Sequence, residues 1–253
     1  MYNPMRLDGQ RIMITGASSG LGRACAQVIS QLGGEVVLVA RDEVRLGETL
    51  SSMDGDGHQV EAFDLAETEA IPAWIKDVVA RGGKPLTGLV HCAGIEITLP
   101  VRTMKLADYE RMMNINVTAA FALAKGFRQR GVCLPPASIV LISSVSAIKA
   151  RPGMVAYAAG KAALVGMARS LAVELAREHI RVNVLTAGLV QTEMAKTVLH
   201  HMTESQVAEL VGEHLLGLGK PQDVAHSVAF LLAETGRWIT GSNLVVDGGY
   251  SIH

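Results

Sequence analysis

The chain has 253 residues, of which 49% are hydrophobic and 19% charged. Its 23 Lys and Arg nearly balance 24 Asp and Glu, and this net charge of −1 argues against nucleic acid as the main partner. No apolar run reaches the roughly 18 residues that a membrane span needs, and the cysteines form no C-x-x-C pair. These features predict a globular cytoplasmic protein in which Cys25, Cys92 and Cys133 are reduced, buried packing groups.

The order of the predicted elements indicates an α/β fold. The apolar runs are continuous rather than alternating, as in parallel strands covered on both faces. The predicted strands are 11–15, 35–40, 59–63, 88–93, 138–143, 181–186 and 243–248. The predicted helices lie near 20–32, 43–52, 67–81, 106–130, 154–178 and 221–233. Repeated strand–helix–strand units predict a doubly wound parallel sheet of about seven strands, with helices on both faces, in a single domain over 1–253. A segment at about 189–217 breaks this rhythm and is predicted to cover the substrate.

The first predicted strand, RIMIT, runs directly into GASSGLG at the start of a helical pattern. Gly16, Gly20 and Gly22 permit a positive φ and let a pyrophosphate approach the main chain. The helix N-terminus adds free N–H groups and partial positive charge, and Ser18 and Ser19 add hydroxyl donors. Glycine clusters also mark plain turns. The position of this one between strand and helix predicts dinucleotide binding.

The end of the second predicted strand indicates which dinucleotide is bound. Sheets that select NAD place an acidic residue here for the ribose 2′-hydroxyl, whereas this chain has Ala40 followed by Arg41. A guanidinium binds the 2′-phosphate that a carboxylate would repel, so Arg41 predicts NADP(H). The alternative is a solvent-exposed Arg41 that opens the next helix, and the nearby Asp42 and Glu43 weigh against a phosphate site.

A phenol and a primary amine lie in the apolar stretch MVAYAAGKAALVG (154–166). Tyr157 and Lys161 are four residues apart, which stacks them on one face of a helix. A nearby cation lowers the pKa of a phenol from about 10 toward neutrality, as acid–base catalysis requires. The same spacing also arises by chance on solvated helix faces, so the pair needs support from the rest of the chain.

Several ordered motifs along the whole chain resemble the short-chain dehydrogenase/reductase family. They are TGASSGLG (15–22), FDL (63–65), HCAG (91–94), NINVTAAF (114–121), ISSVSA (142–147) followed by YAAGK (157–161), RVNVLTAGLVQTEM (181–194) and ITGSNLVVDGGY (239–250). The resemblance implies a Rossmann-type fold and NADP(H)-dependent interconversion of a carbonyl and a secondary alcohol by hydride transfer. Within the family the chain is similar to the 3-oxoacyl-carrier-protein reductases, although the same scaffold also serves sugars, steroids and small ketones.

The resemblance also implies a catalytic tetrad. Tyr157 would be the acid–base residue, and Lys161 would bind the nicotinamide ribose and tune the phenol. Ser144 would hold the substrate oxygen, and Asn116 would complete a proton relay through a water. The implied cofactor contacts are Gly16, Ser18, Ser19, Gly20, Leu21, Gly22, Arg41, Asp64, Leu65, Cys92, Ala93, Gly94, Tyr157, Lys161, Val190 and Thr192.

Three residues depart from the family pattern. His91 and Cys92 stand in place of the two Asn of N-N-A-G, and Ala187 stands in place of the usual Pro before Gly188. The family's amides brace the central strands, so these changes put that bracing in doubt. We expect Cys92 to be a packing group rather than a nucleophile or a redox switch.

Five polar residues near these motifs are expected to have no catalytic role. Asn114 and Ser143 are expected to bond the main chain. His200, His201 and His214 are predicted to be surface histidines, because hydride transfer by the tetrad needs no metal.

The predicted cover segment carries apolar side chains that favour an uncharged or partly apolar carbonyl over a polyanion. They are Met194, Val198, Leu199, Met202, Val207, Leu210, Val211 and Leu215. Arg128 and Arg130 are candidate contacts for an acidic acyl-carrier protein, although two arginines at a helix end more often complement the helix dipole. Rival hypotheses are a non-catalytic NADP(H)-binding regulator, a sugar- or steroid-type alcohol dehydrogenase, and a nucleotide-sugar epimerase or dehydratase, whose C-terminal sugar domain is missing from the pattern.

The helix predicted at 154–178 is apolar well beyond one stripe, which predicts burial on a second face. Its apolar positions include Ala159, Ala163, Val165, Gly166, Ala172 and Val173. The family commonly pairs this helix and the 106–130 helix around two-fold axes, so the expectation is a homotetramer. The alternative is a monomer in which 194–216 covers the helix.

Overall fold

A computed structural model describes residues 2–200 and 202–253 of the chain. Its centre is one sheet of seven parallel strands in the order β3-β2-β1-β4-β5-β6-β7. The strands are β1 (Arg11–Thr15), β2 (Glu35–Ala40), β3 (Gln59–Ala62), β4 (Leu86–His91), β5 (Cys133–Ser144), β6 (Ile180–Ala187) and β7 (Asn243–Val246). The order runs outward from β1 to β3 and then returns to β4 on the other side of β1. The carboxyl ends of β1 and β4 therefore flank the point where an open α/β sheet binds its ligands.

Helices cover both faces of this sheet, as predicted. They are α1 (Gly20–Gln31), α2 (Glu43–Ser51), α3 (Ile71–Gly82), α4 (Leu106–Met113), α5 (Ala119–Phe127), α6 (Val155–Leu175), α7 (Glu193–His200), α8 (Glu204–Gly212) and α9 (Pro221–Leu232). One apolar core joins the sheet to α3, α5 and α6, and a second joins it to α1, α2 and α9. In β1, Met13 faces the first core while Ile12 and Ile14 face the second. Burial on both faces explains why the strands read as continuous apolar runs.

The element boundaries differ from the sequence prediction by a few residues at several ends, and most clearly in two places. The predicted helix at 106–130 is interrupted by a π-helical turn, Asn114–Thr118, and α5 ends at Phe127. Strand β5 begins at Cys133, five residues before its predicted start at 138. Its pairing with β4 shifts between Leu86 and Gly88, and this irregularity accommodates the two prolines at 135 and 136, which cannot donate to the ladder.

The burial of the cysteines is a partial correction. Cys25 is buried, whereas Cys92 and Cys133 are half-buried at the edges of the two cores. All three are free thiols.

The predicted cover segment folds as the two helices α7 and α8. They do not cover α6 as the monomer alternative requires, because Ala159, Gly166 and Val173 remain exposed on its outer face. Val173 is 83% exposed, whereas Ala172 faces the core. His201 was predicted to be a surface histidine, and Val198 an apolar residue of the cover segment. His201 and the side chain of Val198 lie outside the described part of the structure. Over the described ranges, no helix combines the length and apolar character that crossing a bilayer requires.

Candidate active site

A cleft of about 1380 Å³ opens at the carboxyl ends of the strands. Ser144, Tyr157 and Lys161 line it together with every residue predicted to contact the cofactor. The cofactor residues are Gly16, Ser18, Ser19, Gly20, Leu21, Gly22, Arg41, Asp64, Leu65, Cys92, Ala93, Gly94, Val190 and Thr192, in addition to the Tyr–Lys pair. Asn116 is the exception, since its side chain is fully buried behind the cleft wall.

The first turn has the geometry of an anion site. Gly16 and Gly20 have φ values of +70° and +50°, in the left-handed region, and α1 begins at Gly20. The N-cap residue Ser19 makes no side-chain bond to the helix, so the first N–H groups of α1 have no side-chain cap. A Cβ on Gly22 would lie 2.2 Å from the carbonyl oxygen of Gly16. The turn therefore closes tightly over a helix N-terminus, and it fits a dinucleotide pyrophosphate.

Arg41 is exposed at the end of β2 and lines the cleft. Among the described residues its side chain forms no hydrogen bond or ion pair. The neighbouring Asp42 instead caps α2, where its carboxylate accepts the N–H of Arg45 at 3.0 Å. Arg45 in turn pairs with Glu193 of α7 at 2.6 Å. The guanidinium of Arg41 is therefore available to a phosphate, while the Asp42 carboxylate is engaged elsewhere.

The segment after β3 turns back toward the cleft. Asp64 accepts the N–H of Ala66 at 3.0 Å, and Asn114 donates to the carbonyl of Ala66 at 3.0 Å. Asn114 thus bonds the main chain, as predicted.

Ser144 ends β5, while Tyr157 and Lys161 lie in the first two turns of α6. Lys161 is 5% exposed and donates to the carbonyl of Ile142 at 2.9 Å, and its Nζ lies 5.6 Å from the centroid of the Tyr157 ring. Ser143, one residue from Ser144, donates to the carbonyl of Lys161 at 2.9 Å. Ser143 therefore supports the helix, as predicted, and Ser144 faces the cleft.

The expected lowering of the phenol pKa is not seen. Burial raises the pKa of Tyr157, the negative charge of Glu96 raises it further, and a hydrogen bond with Ser144 offsets part of the shift. Burial also lowers the pKa of Lys161 to about 8. The Lys161 ammonium bonds the Ile142 carbonyl rather than the phenol, so desolvation dominates at Tyr157. The phenol is held in its protonated form, which is the form that donates a proton.

Asn116 lies in the π-helical turn and fastens the loop after β4. Its amide oxygen accepts the N–H of Ile95 at 2.8 Å and its amide nitrogen donates to the Ile95 carbonyl at 2.9 Å. Both functional ends of the side chain are used by the loop that carries Ala93 and Gly94. The side chain of Asn116 is thus engaged by this loop, and the relay through a water that the resemblance implies for Asn116 stays a prediction.

His91 stands in place of the first Asn of the N-N-A-G pattern, and it makes a contact of its own between the central strands. Its Nδ1 lies 2.9 Å from Oγ1 of Thr15 on β1, and that hydroxyl also accepts the N–H of Ala93 at 3.2 Å. Burial lowers the pKa of His91 to about 3, so the ring is neutral at physiological pH. Its Nε2 has no partner within the described part of the chain. The substitution preserves a cross-strand contact between β1 and β4.

His214 corrects the prediction of a surface histidine. It is 4% exposed, donates from Nδ1 to the Leu210 carbonyl at 2.8 Å and accepts the Leu189 N–H at Nε2 over 3.2 Å. Its ring stacks on Tyr250 with centroids 4.6 Å apart. His200 is exposed. The described residues contain no group of three or more His, Cys, Asp or Glu side chains arranged to hold a metal.

Sequence reasoning missed several lining residues, among them Glu96, Lys149, Arg151, His214 and Tyr250. Lys149 and Arg151 have a partner that is distant in the chain, as in the hydrogen bond from Arg151 to the Tyr250 hydroxyl, which spans 99 residues. No local spacing carries such a contact. In the sequence, the one indication of these residues is that two cations, Lys149 and Arg151, lie between Ser144 and Tyr157.

The chain is similar to known proteins over nearly its whole length. A family model described as Enoyl-(Acyl carrier protein) reductase matches residues 16–251. A Rickettsia conorii 3-oxoacyl-[acyl-carrier-protein] reductase is 34% identical over 96% of this chain and 97% of its own length. A (3R)-3-hydroxyacyl-CoA dehydrogenase of Canis lupus familiaris is 30% identical over 98% of this chain and 99% of its own length.

A solved structure with bound NADP also matches. It is from Agrobacterium tumefaciens and is described as a candidate 2-deoxy-d-gluconate 3-dehydrogenase. It is 26% identical, has a TM-score of 0.88 and covers 100% of both chains. Similarity to this family model and to these relatives over nearly the whole length shows that this chain belongs to the short-chain dehydrogenase/reductase family of oxidoreductases.

Proposed function

We propose that the protein is an NADP(H)-dependent oxidoreductase that interconverts a carbonyl and a secondary alcohol, with Tyr157 as the acid–base residue. One observation carries the proposal. Ser144, Tyr157 and Lys161 line the same cleft as the glycine turn at the N-terminus of α1. A proton donor, a hydroxyl for the substrate oxygen and a phosphate site are thus combined in one cavity.

The chain's own residues perform the proton chemistry. In the direction of reduction, the protonated phenol of Tyr157 donates its proton to the carbonyl oxygen, which the Ser144 hydroxyl orients. Lys161 keeps a positive charge beside the phenol that favours the phenolate left behind. Asn116 acts indirectly, because it fixes the loop of Ala93 and Gly94. The nicotinamide supplies the hydride when it is bound.

Arg41 supports NADP(H) rather than NAD(H). A guanidinium without an internal partner at the end of β2 is suited to bind a 2′-phosphate, and the Asp42 carboxylate that would repel the phosphate is hydrogen-bonded at the start of α2. The solved relative with bound NADP supports the same class of cofactor.

The relatives favour a 3-oxoacyl thioester or another small ketone as substrate, because two of them are described as acting on acyl groups of this kind. Contact with an acidic carrier protein through Arg128 is less favoured. The Arg128 guanidinium already forms a bidentate ion pair with the Glu178 carboxylate, with hydrogen bonds of 2.8 and 3.3 Å. The complete Ser144, Tyr157 and Lys161 set disfavours the non-catalytic regulator.

A Tyr157→Phe variant tests the proposal. Incubation with NADPH and a panel of ketones and 3-oxoacyl thioesters should show turnover for the wild type and a loss of at least about 10² for the variant, the usual scale for removing a general acid. NADPH binding, followed by its fluorescence, should be retained. A variant with near wild-type turnover would show that Tyr157 is not the acid.

A further inference from the structure

Two cations lie at the substrate end of the cleft, between the catalytic Ser and Tyr in sequence. Lys149 and Arg151 follow β5 and precede α6, and both line the cleft beside Ser144 and Tyr157. Neither belongs to the proton chemistry or to the phosphate site at α1. The family resemblance assigns them no role.

These cations share a single counter-charge. Arg151 pairs with the Glu213 carboxylate at 2.7 Å, and Lys149 lies 3.6 Å from the same oxygen. Arg151 and Lys149 line the cleft, whereas Glu213 does not. The cleft therefore has one excess positive charge at this end.

The positions of both cations are fixed by Tyr250. Arg151 Nε donates to the Tyr250 hydroxyl at 2.6 Å, and Lys149 donates to the Tyr250 carbonyl at 3.0 Å. The Lys149 ammonium also lies 4.2 Å from the centroid of the Tyr250 ring, which is 2% exposed. Such contacts hold the two side chains in place before any ligand arrives, which reduces the entropy cost of binding.

Donor capacity remains after these contacts. Within the described residues, Arg151 Nη1 has no hydrogen-bond partner, and the Lys149 ammonium has three donors to distribute. Side chains about one-third exposed, at 34% for Arg151 and 28% for Lys149, keep these donors accessible from the cleft. A carboxylate matches a guanidinium and an ammonium in both charge and geometry.

We propose that Arg151 and Lys149 bind a carboxylate on the substrate, so that the carbonyl compound reduced here is an oxo acid. This inference rests on the proposed function and narrows it. The carboxylate is separated from the reacting carbonyl by a linker, because Glu96 puts a negative charge next to Tyr157 and Lys161. Met154 and Leu210 supply apolar wall for such a linker. The cover segment at 189–217 by itself favours an uncharged carbonyl, because it is apolar. Lys149 and Arg151 lie outside that segment, so it gives no indication of a carboxylate.

The test compares each acid with its uncharged ester. The substrates are 4-oxopentanoate and 5-oxohexanoate, each paired with its methyl ester, and the readout is the acid-to-ester ratio of kcat/KM. The wild type should prefer at least one acid by about tenfold or more. The double variant Arg151→Gln, Lys149→Gln should lose the preference through a higher KM for the acid. The ratio cancels any general loss of activity.

A second variant is expected to move the ratio in the opposite direction. Glu213→Gln removes the internal counter-charge, so the preference for the acid should rise, a result that misfolding does not produce. Lys76→Gln, which removes an exposed cation on α3 far from the cleft, is the matched control and should leave the ratio unchanged.

The outcomes separate the two proposals. Equal kcat/KM for acid and ester in the wild type, or a preference that survives in the double variant, overturns the carboxylate site and leaves the oxidoreductase proposal standing. A second assay uses a 3-oxoacyl thioester of phosphopantetheine as the substrate. If Arg151→Gln lowers its kcat/KM but not that of the acid, the cations bind phosphate instead. No NADPH oxidation with any carbonyl overturns the proposed function and this inference together.

Discussion

Arg41 and Asp42 are adjacent at the end of β2 and differ in the contacts that their charges already make. The carboxylate of Asp42 satisfies an N–H at the start of α2, and the guanidinium of Arg41 is left for a ligand. Both residues line the cleft, and the sequence does not say which of the two charges is already engaged. The hydrogen bond from the Arg45 N–H engages the Asp42 carboxylate.

Arg41→Asp is expected to shift preference from NADPH toward NADH. The change removes the phosphate partner and supplies an acceptor for a ribose hydroxyl. The measurement is kcat/KM with each cofactor for the wild type and the variant, and Arg102→Asp, at an exposed arginine outside the cleft, serves as the control. A wild type that already prefers NADH contradicts the assignment of Arg41.

The rate of carbonyl reduction is expected to fall as pH rises through about 8, the pKa of Lys161. Burial lowers this pKa, so the ammonium loses its proton at a pH where an ordinary lysine keeps it. Tyr157, whose pKa burial raises, stays protonated over the same range and is not the cause of the fall. A pH profile of kcat/KM that stays flat to pH 10 would contradict this role for Lys161.

Single side chains also mark how far the sequence could predict the site. Tyr157 and Lys161 were found from their spacing on one helix together with the family resemblance, and Ser144 from the resemblance of its motif. Arg151 and Tyr250 were not found, because contacts between separate segments position them. The direction of the pKa shift at Tyr157 was missed for the same reason, since it depends on burial rather than on distance along the chain.

At the scale of elements, the turn from β1 into α1 depends on close packing of main chain against main chain. The Cβ of an alanine at position 22 would lie 2.2 Å from the Gly16 oxygen, and that oxygen belongs to the backbone and cannot rotate away. Gly47, in α2, offers a contrast, because nothing lies within 4 Å of a Cβ built there.

Gly22→Ala is expected to destabilise the fold by about 1–3 kcal/mol and to abolish NADPH binding, as overpacking of a tight site does. Gly47→Ala should instead stabilise it by up to about 1 kcal/mol, since alanine is the better helix former. Urea unfolding followed by circular dichroism measures both. If the two variants unfold alike, the close contact at Gly22 does not limit stability.

Helix interiors were the harder elements to predict. The pattern over 106–130 predicts one continuous helix, and a π-helical turn leaves that pattern unchanged while Asn116 bonds Ile95. Hydrophobic periodicity predicts where a helix runs and which face is apolar, but it does not register one added residue in a turn.

At the scale of the whole molecule, α6 has one face in the core and another in solvent. Leu164 and Ala168 are buried, whereas Val155 and Val173 are 58% and 83% exposed. On the neighbouring α5, Phe121 is 52% exposed. Both helices pack on the same core, and exposed apolar groups on one side of a molecule are typical of an interface.

A homotetramer is therefore expected, with a mass about four times the 26.8 kDa of the chain, as measured by light scattering behind size exclusion. Val173→Asp should reduce that mass by charging the interface. Val44→Asp, on the equally exposed Val44 of α2, should not. A wild type that elutes as a single chain contradicts the prediction, and a dimer would leave only one of the two interfaces.

The pairing of α1 with α9 has a consequence for how the protein is made. The first two strands and α1 leave the ribosome early, yet the core on their face is completed by Val224 and Val228, which are translated near the end. Until then Ile12, Ile14 and Ile29 have part of their apolar surface uncovered. Because such surfaces aggregate, the nascent chain carries this liability through most of its synthesis, and a chaperone that shields residues 11–31 until α9 emerges would raise the yield of folded protein.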